Sequence, residues 1–400
     1  MKKLLIILLS LIIFTGCWSA TELSDMAIAT AIGVDLVDDQ IIITLQVLNP
    51  AEVAGNEEKT SRTAITNYTI QGDTLFEAIR KLTATSPRKI FVSHIRTVIF
   101  GEALAIEGIV DTLDFLMRDH ELRADFMIAV AREATAEEVL SIMTPLEKIS
   151  AERVYTSIKA SEEFWAPSKE VKLNELANAI ITEGKDAVIT GLAIVGDEEK
   201  GKTIENVEST VPYASLFVEN MSVFSGDQLV GWLNEEESKG FNFITNNIDN
   251  TIESISWKGS DDISLEITKH QSKISTRLDG ELIVEISSKM VVNIADVETD
   301  VSFESQDTLH EIEQRFAKTI EALMLASIET AKDFHVDIFG FGEQLRRDHP
   351  REWEANYKED WLDHFEDCKV RFDTEVDIRH GGMITDPIYP EVDKANGLEE

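Results

Sequence analysis

The residue whose surroundings most clearly indicate chemistry is Cys17, near the start of the 400-residue chain. Two lysines precede an apolar run over residues 4–14, and Thr15 and Gly16 separate that run from the cysteine. A basic start, an apolar stretch and small residues are typical of a secretory signal peptide. The run would span about 16 Å as a helix, roughly half of a bilayer core, so it is too short for a membrane-spanning anchor.

The small pair before Cys17 indicates lipoprotein processing, in which the thiol receives a diacylglyceryl group as a thioether before the signal is cut. Phe14 stands at position −3, where Leu is usual. Two acyl chains hold a protein firmly because each buried methylene contributes about 0.8 kcal/mol. We therefore predict that residues 1–17 are a lipoprotein signal peptide and that Cys17 tethers the exported chain to a membrane. A secretory signal with an incidental cysteine and an uncleaved anchor are the alternatives.

The other candidates for chemistry are the second cysteine and the histidines. With Cys17 acylated, Cys368 has no intramolecular partner, and a free thiol packed at the start of a strand is the expected role. A metal site needs three or four converging ligands. Four histidines in the C-terminal third have spacings that suit no single helix face, so surface or capping roles are predicted; they are His335, His349, His364 and His380.

Catalytic and nucleotide-binding motifs give no positive signal. The glycine-rich stretches FGFGE at 339–343 and HGGM at 380–383 have neither GxGxxG spacing nor a following GK[ST], and turns at element ends explain them. GxSxG, SxxK and HExxH do not occur. Acidic pairs such as Asp261–Asp262 are expected by chance in a chain with 74 acidic residues. We predict no catalytic residue, no metal, no cofactor and no enzymatic activity.

Net charge limits the possible partners. Lys and Arg number 37 against 74 Asp and Glu, so the formal charge is −37. Such a surface repels nucleic acid and anionic lipid headgroups, which makes nucleic acid an unsuitable partner. Any attachment to a membrane must then rest on the lipid rather than on charge. The six tryptophans are expected in cores and caps, except Trp18, which would lie at the headgroup level beside the lipid.

Hydrophobic periodicity predicts mixed secondary structure. The expected elements include a hairpin over 27–48, a helix from Asp73 or Thr74 to 85, a strand over 89–101, a helix over 103–117 and a helix from Thr135 with a capping box. Antiparallel strands are expected over 251–295, followed by a long helix over 305–333 whose apolar stripe lies on the sheet and by a last strand from 369 to 380. The predicted fold class is α+β, with three mixed α/β domains, largely antiparallel or mixed sheets, and the long helix of the C-terminal domain packed on a sheet.

Changes in composition suggest where the domains end. The predicted divisions are an N-terminal mixed α/β domain, a middle domain or hairpin–helix module, a C-terminal antiparallel sheet with the long helix, and a loosely ordered tail. Their ranges are 18–195, 196–255, 256–385 and 386–400. The first division follows from GDEEKGKTIENVEST at 196–210, which carries no apolar pattern.

Six blocks of sequence resemble one known family. They are GCWSATELSDMAIATAIGVD at 16–35, TLFEAIRKLTATSPRKIFVSHIR at 74–96, LDFLMRDHELRADFMIAVA at 113–131, TPLEKISAERVY at 144–155, LVGWLNEEESKGFNF at 229–243 and DIFGFGEQLRRDHPREW at 337–353. Together they resemble the C-subunit lipoproteins of spore germinant receptors, the Ger(x)C family. The resemblance extends from Cys17 to about residue 385. Ser19 stands where Asp or a similar polar residue often follows Trp in that family.

The resemblance implies a location and partners. Family members are lipoproteins on the outer side of the spore inner membrane, and they act with two integral-membrane subunits, A and B, in a receptor that senses a small-molecule nutrient germinant. Three mixed α/β domains and no enzymatic activity are implied as well. Cys17 is the residue whose role carries over.

Two other functions fit parts of the sequence. A solute-binding lipoprotein of an envelope importer would have two similar α/β lobes with parallel sheets, whereas residues 251–295 predict consecutive antiparallel strands. A lipid-anchored hydrolase of the cell envelope would need a nucleophile and a base, and the sequence nominates neither.

Overall fold

The computed structural model of the chain describes residues 26–49, 63–86, 88–257, 261–299, 301, 303 and 305–380. Within these residues the strands form two sheets. The first contains β1 (Met26–Val37), β2 (Gln40–Leu48), β3 (Ile65–Gly72), β4 (Lys89–Phe91), β5 (Thr97–Gly101), β6 (Met127–Ala131), β7 (Val188–Gly196), β8 (Ala214–Ser225) and β9 (Gln228–Trp232). The second contains β10 (Thr251–Trp257), β11 (Asp261–Leu278), β12 (Leu282–Val297) and β13 (Lys369–His380).

The first sheet has parallel strands at its centre and antiparallel strands at its edges. Its order is β3-β2-β1-β5-β6-β7-β8-β9, with β4 beside β1. β1, β5, β6 and β7 run parallel, and the outer neighbours pair antiparallel. The predicted hairpin over 27–48 is confirmed as β1 and β2. Asp38 and Asp39 form its turn with φ of 50° and 60°, the left-handed conformation that tight hairpin turns require.

Helices from residues 75–208 cover both faces of this sheet. They are α1 (Leu75–Thr85), α2 (Glu102–Glu107), α3 (Val110–Arg118), α4 (Ala136–Ser141), α5 (Ser150–Phe164), α6 (Leu173–Ile181), α7 (Glu198–Gly201) and α8 (Glu205–Glu208). We call the chain from β1 to β9 the first part. Side chains alternate along the buried strands, so Val98 and Phe100 pack with α1, α2, α3 and α6, whereas Ile99 packs with α4 and α5. The central strands are therefore buried on both sides, which explains their continuous apolar runs.

Two predicted elements are each divided in the structure. The helix expected over 103–117 is interrupted at Gly108, whose φ of 140° is incompatible with a continuous helix and favours glycine. The strand expected over 89–101 consists of β4 and β5, because the chain turns between them with a hydrogen bond from the Ile95 N–H to the Val92 carbonyl. The capping box at Thr135 and Glu138 is confirmed at the start of α4.

The second sheet is packed against helices from residues 235–367. These are α9 (Glu235–Ile244), α10 (Gln306–Asp333), α11 (Phe341–Asp348), α12 (Pro350–Glu352), a π-helical turn (Trp353–Tyr357) and α13 (Trp361–Asp367). We call the chain from α9 to β13 the second part. β10, β11 and β12 are antiparallel neighbours, and β13 joins β12 in parallel. α10 confirms the predicted long helix and buries Ile312, Phe316 and Ile320 in the core that contains the sheet. The predicted fold class, with mixed sheets and this packed helix, is confirmed; the domain borders stay a prediction.

α9 and α10 approach each other most closely at Gly240. A Cβ placed there would lie 2.1 Å from the carbonyl oxygen of Leu323 in α10, and that atom belongs to the helix backbone. Real Cβ atoms do not approach a carbonyl oxygen so closely. Glycine at this position therefore sets the spacing of the two helices.

We expect Gly240→Ala to lower the free energy of unfolding by about 2–3 kcal/mol, because the helices must move apart. Alanine has a helix propensity about 1 kcal/mol better than glycine, so loose packing would give a more stable variant instead. Urea denaturation measures the difference. The control is Glu236→Ala on the exposed side of α9, for which a change within about 0.5 kcal/mol is expected. A gain in stability for Gly240→Ala would contradict the close packing.

Candidate functional site

The predicted lipidation site, Cys17, lies outside the described residues. In the part of the chain that the structure describes, no helix has both the length and the apolar character needed to cross a membrane. Cys368 is described and lies buried immediately before β13, which confirms the predicted packed thiol at a strand start. Burial raises the pKa of the Cys368 thiol to about 11, so the group stays protonated and unreactive at neutral pH.

The histidines considered as metal ligands lie apart and bind different partners. His335 Nδ1 lies 2.6 Å from a carboxylate oxygen of Glu366, and His349 Nε2 lies 3.2 Å from the carbonyl oxygen of Thr276. His364 Nε2 lies 3.0 Å from the carbonyl oxygen of Asn356. The side chain of His380 lies outside the part of the chain that the structure describes. Over residues 26–380, as far as they are described, no three His, Cys, Asp or Glu side chains are placed to hold a metal ion.

A densely bonded polar group among the described residues is the carboxylate of Asp337, between α10 and α11. Its Oδ1 accepts the backbone N–H groups of Phe339, Gly340 and Phe341 at 3.2, 2.9 and 3.1 Å. Its Oδ2 accepts the Gly342 N–H at 2.8 Å and the indole N–H of Trp361 at 3.1 Å. The carboxylate therefore folds the DIFGFG segment around itself and fixes the start of α11.

Asp186, just before β7, joins this segment to the first sheet. Its backbone N–H donates to the Asp337 carbonyl at 2.7 Å, and its Oδ2 accepts the Asp337 N–H at 2.9 Å. Its Oδ1 accepts the Gly226 N–H at 3.1 Å, in the turn between β8 and β9. Next to it, a Cβ on Gly184 would lie 2.7 Å from the backbone of Gly342. We call the set Gly184–Asp186, Asp337–Gly342 and Trp361 the junction.

The two carboxyl groups of the junction differ in burial, since Asp337 lies in the interior and Asp186 is half-buried. Asp337 is fully buried, and burial raises its pKa to about 7 despite the donors around it. Burial also raises the pKa of Asp186, against the lowering effect of its backbone donors. A charge here has no solvent to stabilise it, so the position of every donor matters. The junction thus connects the first sheet to the segment that follows α10, and its carboxyl oxygens accept from backbone N–H groups and from the Trp361 indole of the chain itself.

A second connection is a buried ion pair between α9 and β10. The ammonium of Lys239 lies 2.7 Å from Glu253 and 3.6 Å from Glu235, and it sits 3.8 Å from the ring centroid of Trp165 in the segment after α5. The side chains of Lys239 and Glu253 are only 5% and 15% exposed. Burial raises the pKa of Glu253, although Lys239 acts in the opposite direction. The carboxylates fix the position of the Lys239 ammonium, and its cation–π contact with Trp165 holds the first part against the second.

Asn242 and Thr251 strengthen the same contact. The amide of Asn242 in α9 donates to the carbonyls of Ala166 and Ser168 at 2.8 and 3.0 Å. The hydroxyl of Thr251 in β10 donates to the Trp165 carbonyl at 3.0 Å. The segment that follows α5 is therefore bonded to two elements of the second part, so the two sheets are held in one arrangement.

A groove of about 1220 Å³ lies over the second sheet beside α10. The imidazole Nε2 of His270 is 2.9 Å from the hydroxyl of Ser288. Burial lowers the pKa of His270 to about 4, so the ring is neutral at pH 7. Among the described residues, His270 Nδ1 and the Thr374 hydroxyl have no hydrogen-bond partner. A serine–histidine contact is used by hydrolases, but there the second ring nitrogen is oriented by a further group and the serine is accessible. Ser288 is fully buried.

Sequence reasoning missed these residues for different reasons. The glycines around Asp337 suggested a turn, but its partners Asp186 and Trp361 are distant in sequence. His270 and Ser288 meet through the pairing of β11 with β12. Asp35 was visible as the end of GVD, yet its role depends on α4: its oxygens accept the N–H groups of Ala136 and Glu137 at 2.7 and 3.1 Å and cap that helix. Burial raises its pKa to about 6.

Comparison with known proteins gives the same family twice. Residues 19–194 match the spore germination protein N-terminal domain, and residues 219–382 match the spore germination B3/GerAC-like C-terminal domain. The chain belongs to this family. Spore germination protein KC of Bacillus subtilis (strain 168) is 29% identical over 392 residues, which is 96% of each chain. Spore germination protein B3 of the same organism is 22% identical, over 96% of this chain and 98% of its own.

A solved structure agrees with the fold of this spore germination protein. The crystal structure of the GerBC protein matches it with a TM-score of 0.53 at 19% identity, covering 87% of this chain and 96% of the other. The names of the two Bacillus subtilis relatives refer to spore germination. The sequence blocks of this chain that resemble the family contain Asp35, Lys239 and Asp337. Their roles in the structure are to cap a helix and to join the two sheets.

Proposed function

We propose that the chain is the membrane-anchored C subunit of a nutrient germinant receptor and acts through assembly with two integral-membrane subunits, A and B. The observation that carries this proposal is the match of both family domains, over residues 19–194 and 219–382, directly after a lipidation sequence ending at Cys17. The diacylglyceryl group at Cys17 would hold the protein on the outer side of the spore inner membrane.

The tether and the junction have complementary roles in this proposal. A lipid confines the chain to two dimensions and raises its effective concentration near the other subunits. A nutrient bound by the complex can shift its conformation only if the two states differ in contacts. Because Asp186 and Asp337 bond the chain just before β7 to the segment after α10, and α10 packs on the second sheet, a displacement of the first sheet would be passed to that helix rather than absorbed between them.

Cys17→Ala tests the anchor. We expect the variant to lose incorporation of labelled palmitate and to move from the membrane fraction to the soluble fraction, because the acceptor thiol is absent. Cys368→Ala is the matched control, since it removes the other cysteine, which is buried, and both the label and the membrane location should persist. Lipid label remaining on Cys17→Ala would disprove the assigned anchor site.

Spores that lack the gene test the receptor role. Loss of refractility is followed after nutrient addition and, separately, after a chemical trigger that bypasses nutrient receptors. We expect a slower response to some nutrients and an unchanged response to the chemical trigger. When either the A or the B subunit is deleted, we expect the remaining subunit no longer to co-purify with the wild-type chain. An equal defect with both triggers would place the protein downstream of nutrient sensing instead.

A further inference from the structure

Part of the edge of β8 has no strand beside it. β7 pairs with β8 from Ala214 to Val223, but on the opposite edge β9 pairs only with residues 222–225. From Leu216 to Val218 that outer edge faces no other strand among the described residues. Unpaired backbone groups of an edge strand are a template for another extended chain, and natural proteins usually cover or blunt them.

The direction of the backbone groups is fixed by their neighbours. The Tyr213 carbonyl points toward β7, where it accepts the Asp197 N–H at 2.8 Å. Ala214 points the other way: its N–H and its carbonyl are each bonded at 3.0 Å by the side-chain amide of Asn206. Backbone groups alternate between the two edges of a strand. The N–H and carbonyl of Leu216, and then those of Val218, therefore point to the outer edge, as those of Ala214 do.

Two cavities run along this open edge. One of about 510 Å³ is lined by Leu216, Phe217 and Val218 and by the exposed side of α5, and one of about 170 Å³ continues from Leu216 toward Pro212. Both are lined by Glu147, Arg153 and Leu216, so they form one groove. The chain from Pro212 to Asn220, which includes the first seven residues of β8, lines it over about 30 Å.

Apolar side chains surround the groove without being buried. Phe217 is 57% exposed, Trp165 45% and Leu146 86%, although these residues are large and hydrophobic. Large exposed apolar groups that lie together mark interaction surfaces more often than single ones do. A chain added to β8 would place alternate side chains against them, because side chains of a strand alternate between its two sides.

Three polar side chains of the groove have a group without a partner among the described residues. Among the described residues, the guanidinium of Arg153 makes no ion pair or hydrogen bond, and it is the only Lys or Arg side chain that lines the groove. Glu147 Oε2 and the Ser157 hydroxyl are buried without a hydrogen bond in the same part of the structure. Buried polar atoms without partners are rare because they lose their bonds to water and gain none in return. The groove thus offers a cation, an acceptor and a hydroxyl together with a strand edge.

We infer that this groove binds an extended segment of a partner protein, which adds as a strand to β8 at Leu216–Val218 and carries an acidic side chain that pairs with Arg153. Backbone bonds to Leu216 and Val218 would give the affinity, and the aromatic residues and Arg153 the specificity. N–H or hydroxyl groups of the segment would satisfy Glu147 and Ser157. A second copy of this chain fits less well, because the open edge of β8 lies in a recess beside α5, and two edges that are recessed in this way cannot come into contact.

The experiment uses purified chain from residue 18 onward and an array of overlapping 12-residue peptides that covers the soluble segments of the A and B subunits. The choice of these peptides rests on the proposed function. Val218→Pro removes an outward N–H but no bond of the β7–β8 ladder, and because the Val218 side chain is half-buried, whereas that of Leu216 is only 8% exposed, an edge proline should be tolerated at 218. Arg153→Glu tests the charge without touching the backbone, and Arg371→Glu, exposed on β13, is the matched charge reversal away from the groove.

We expect the wild-type chain and Arg371→Glu to bind the same acidic peptide, and Val218→Pro and Arg153→Glu each to lose at least tenfold in affinity while their thermal midpoints stay above the temperature of the binding assay. Equal binding by all four proteins would overturn the inference, because the peptide would then bind elsewhere. Binding of no peptide by the wild-type chain would overturn it as well. Neither outcome decides the receptor role, which the germination response of spores lacking the gene tests separately.

Discussion

Asp337→Asn is expected to lower the free energy of unfolding by about 4 kcal/mol, because an amide cannot accept at both of the positions that the carboxylate oxygens occupy. With the amide oxygen toward Phe339, Gly340 and Phe341, its NH₂ faces the Gly342 N–H and the Trp361 indole N–H. The NH₂ group and these two N–H groups are all donors, so the two buried N–H groups lose their acceptor. The opposite orientation leaves three donors without an acceptor. Urea denaturation measures the loss.

The effect of Asp337→Asn should also depend on pH. Burial raises the pKa of Asp337 to about 7, above the value near 4 of an unfolded aspartate. The folded chain therefore holds a proton that the unfolded chain releases, and the stability contributed by Asp337 is greatest below pH 4 and falls as the pH rises to about 7. Asparagine does not titrate, so the difference between wild type and Asp337→Asn should be larger at pH 5 than at pH 8.

The control for this comparison is Asp333→Asn, at the exposed end of α10. It removes one carboxylate from the same region and should change stability by less than about 0.5 kcal/mol at either pH. A difference between Asp337→Asn and wild type that is the same at pH 5 and pH 8 would show that the carboxyl is ionised throughout. A loss as small as that of the control would mean that the five donors do not depend on Asp337.

Lys239→Met is expected to cost about 3–5 kcal/mol, because it leaves the buried carboxylate of Glu253 without its partner. Methionine keeps most of the volume of the side chain, so the loss reports charge rather than a cavity. The double variant Lys239→Met with Glu253→Leu should recover most of the lost stability, since no unpaired charge then remains buried. The free energy of unfolding, measured for the two single variants and the double variant, gives the coupling.

An exposed ion pair of the same chain provides the comparison. Lys289 and Glu375 lie 2.7 Å apart, like the buried pair, but each side chain is 61% exposed. Solvent screens such pairs, so Lys289→Met should cost less than about 1 kcal/mol. Similar losses for Lys239→Met and Lys289→Met would contradict the role assigned to burial and to Trp165.

Local features of the fold were predictable from the sequence. The turn at Asp38–Asp39, the capping box of Thr135 and Glu138, and the stripe of α10 each depend on residues a few positions apart. Gly108 shows where such reasoning fails: a single glycine inside an apolar periodic stretch is compatible with a helix, and only the close approach of Asp227, which would touch a Cβ at 2.7 Å, explains the break.

The junction could not be predicted in the same way. Asp186 and Asp337 are separated by 151 positions, and neither has a neighbour that indicates a buried carboxylate. Pairing of the strands brings them together, and strand order is a property of the whole chain. The strand edge at Leu216 is likewise invisible in sequence, because it depends on where β9 stops. Cys17, by contrast, was nominated by adjacent residues alone, and its lipidation stays a prediction.

The parallel pairing of β12 with β13 has a consequence for the order in which the protein matures. Ile283 lies opposite Lys369, and the intervening chain contains α10 through α13. Long-range pairing of this kind is slow to form, because the entropy of closing the loop is lost before the contacts are gained. The second half therefore cannot finish folding until residue 380 has left the ribosome and, if the chain is exported, the translocation channel. Its buried strands depend in the meantime on whatever binds nascent chains on that side of the membrane.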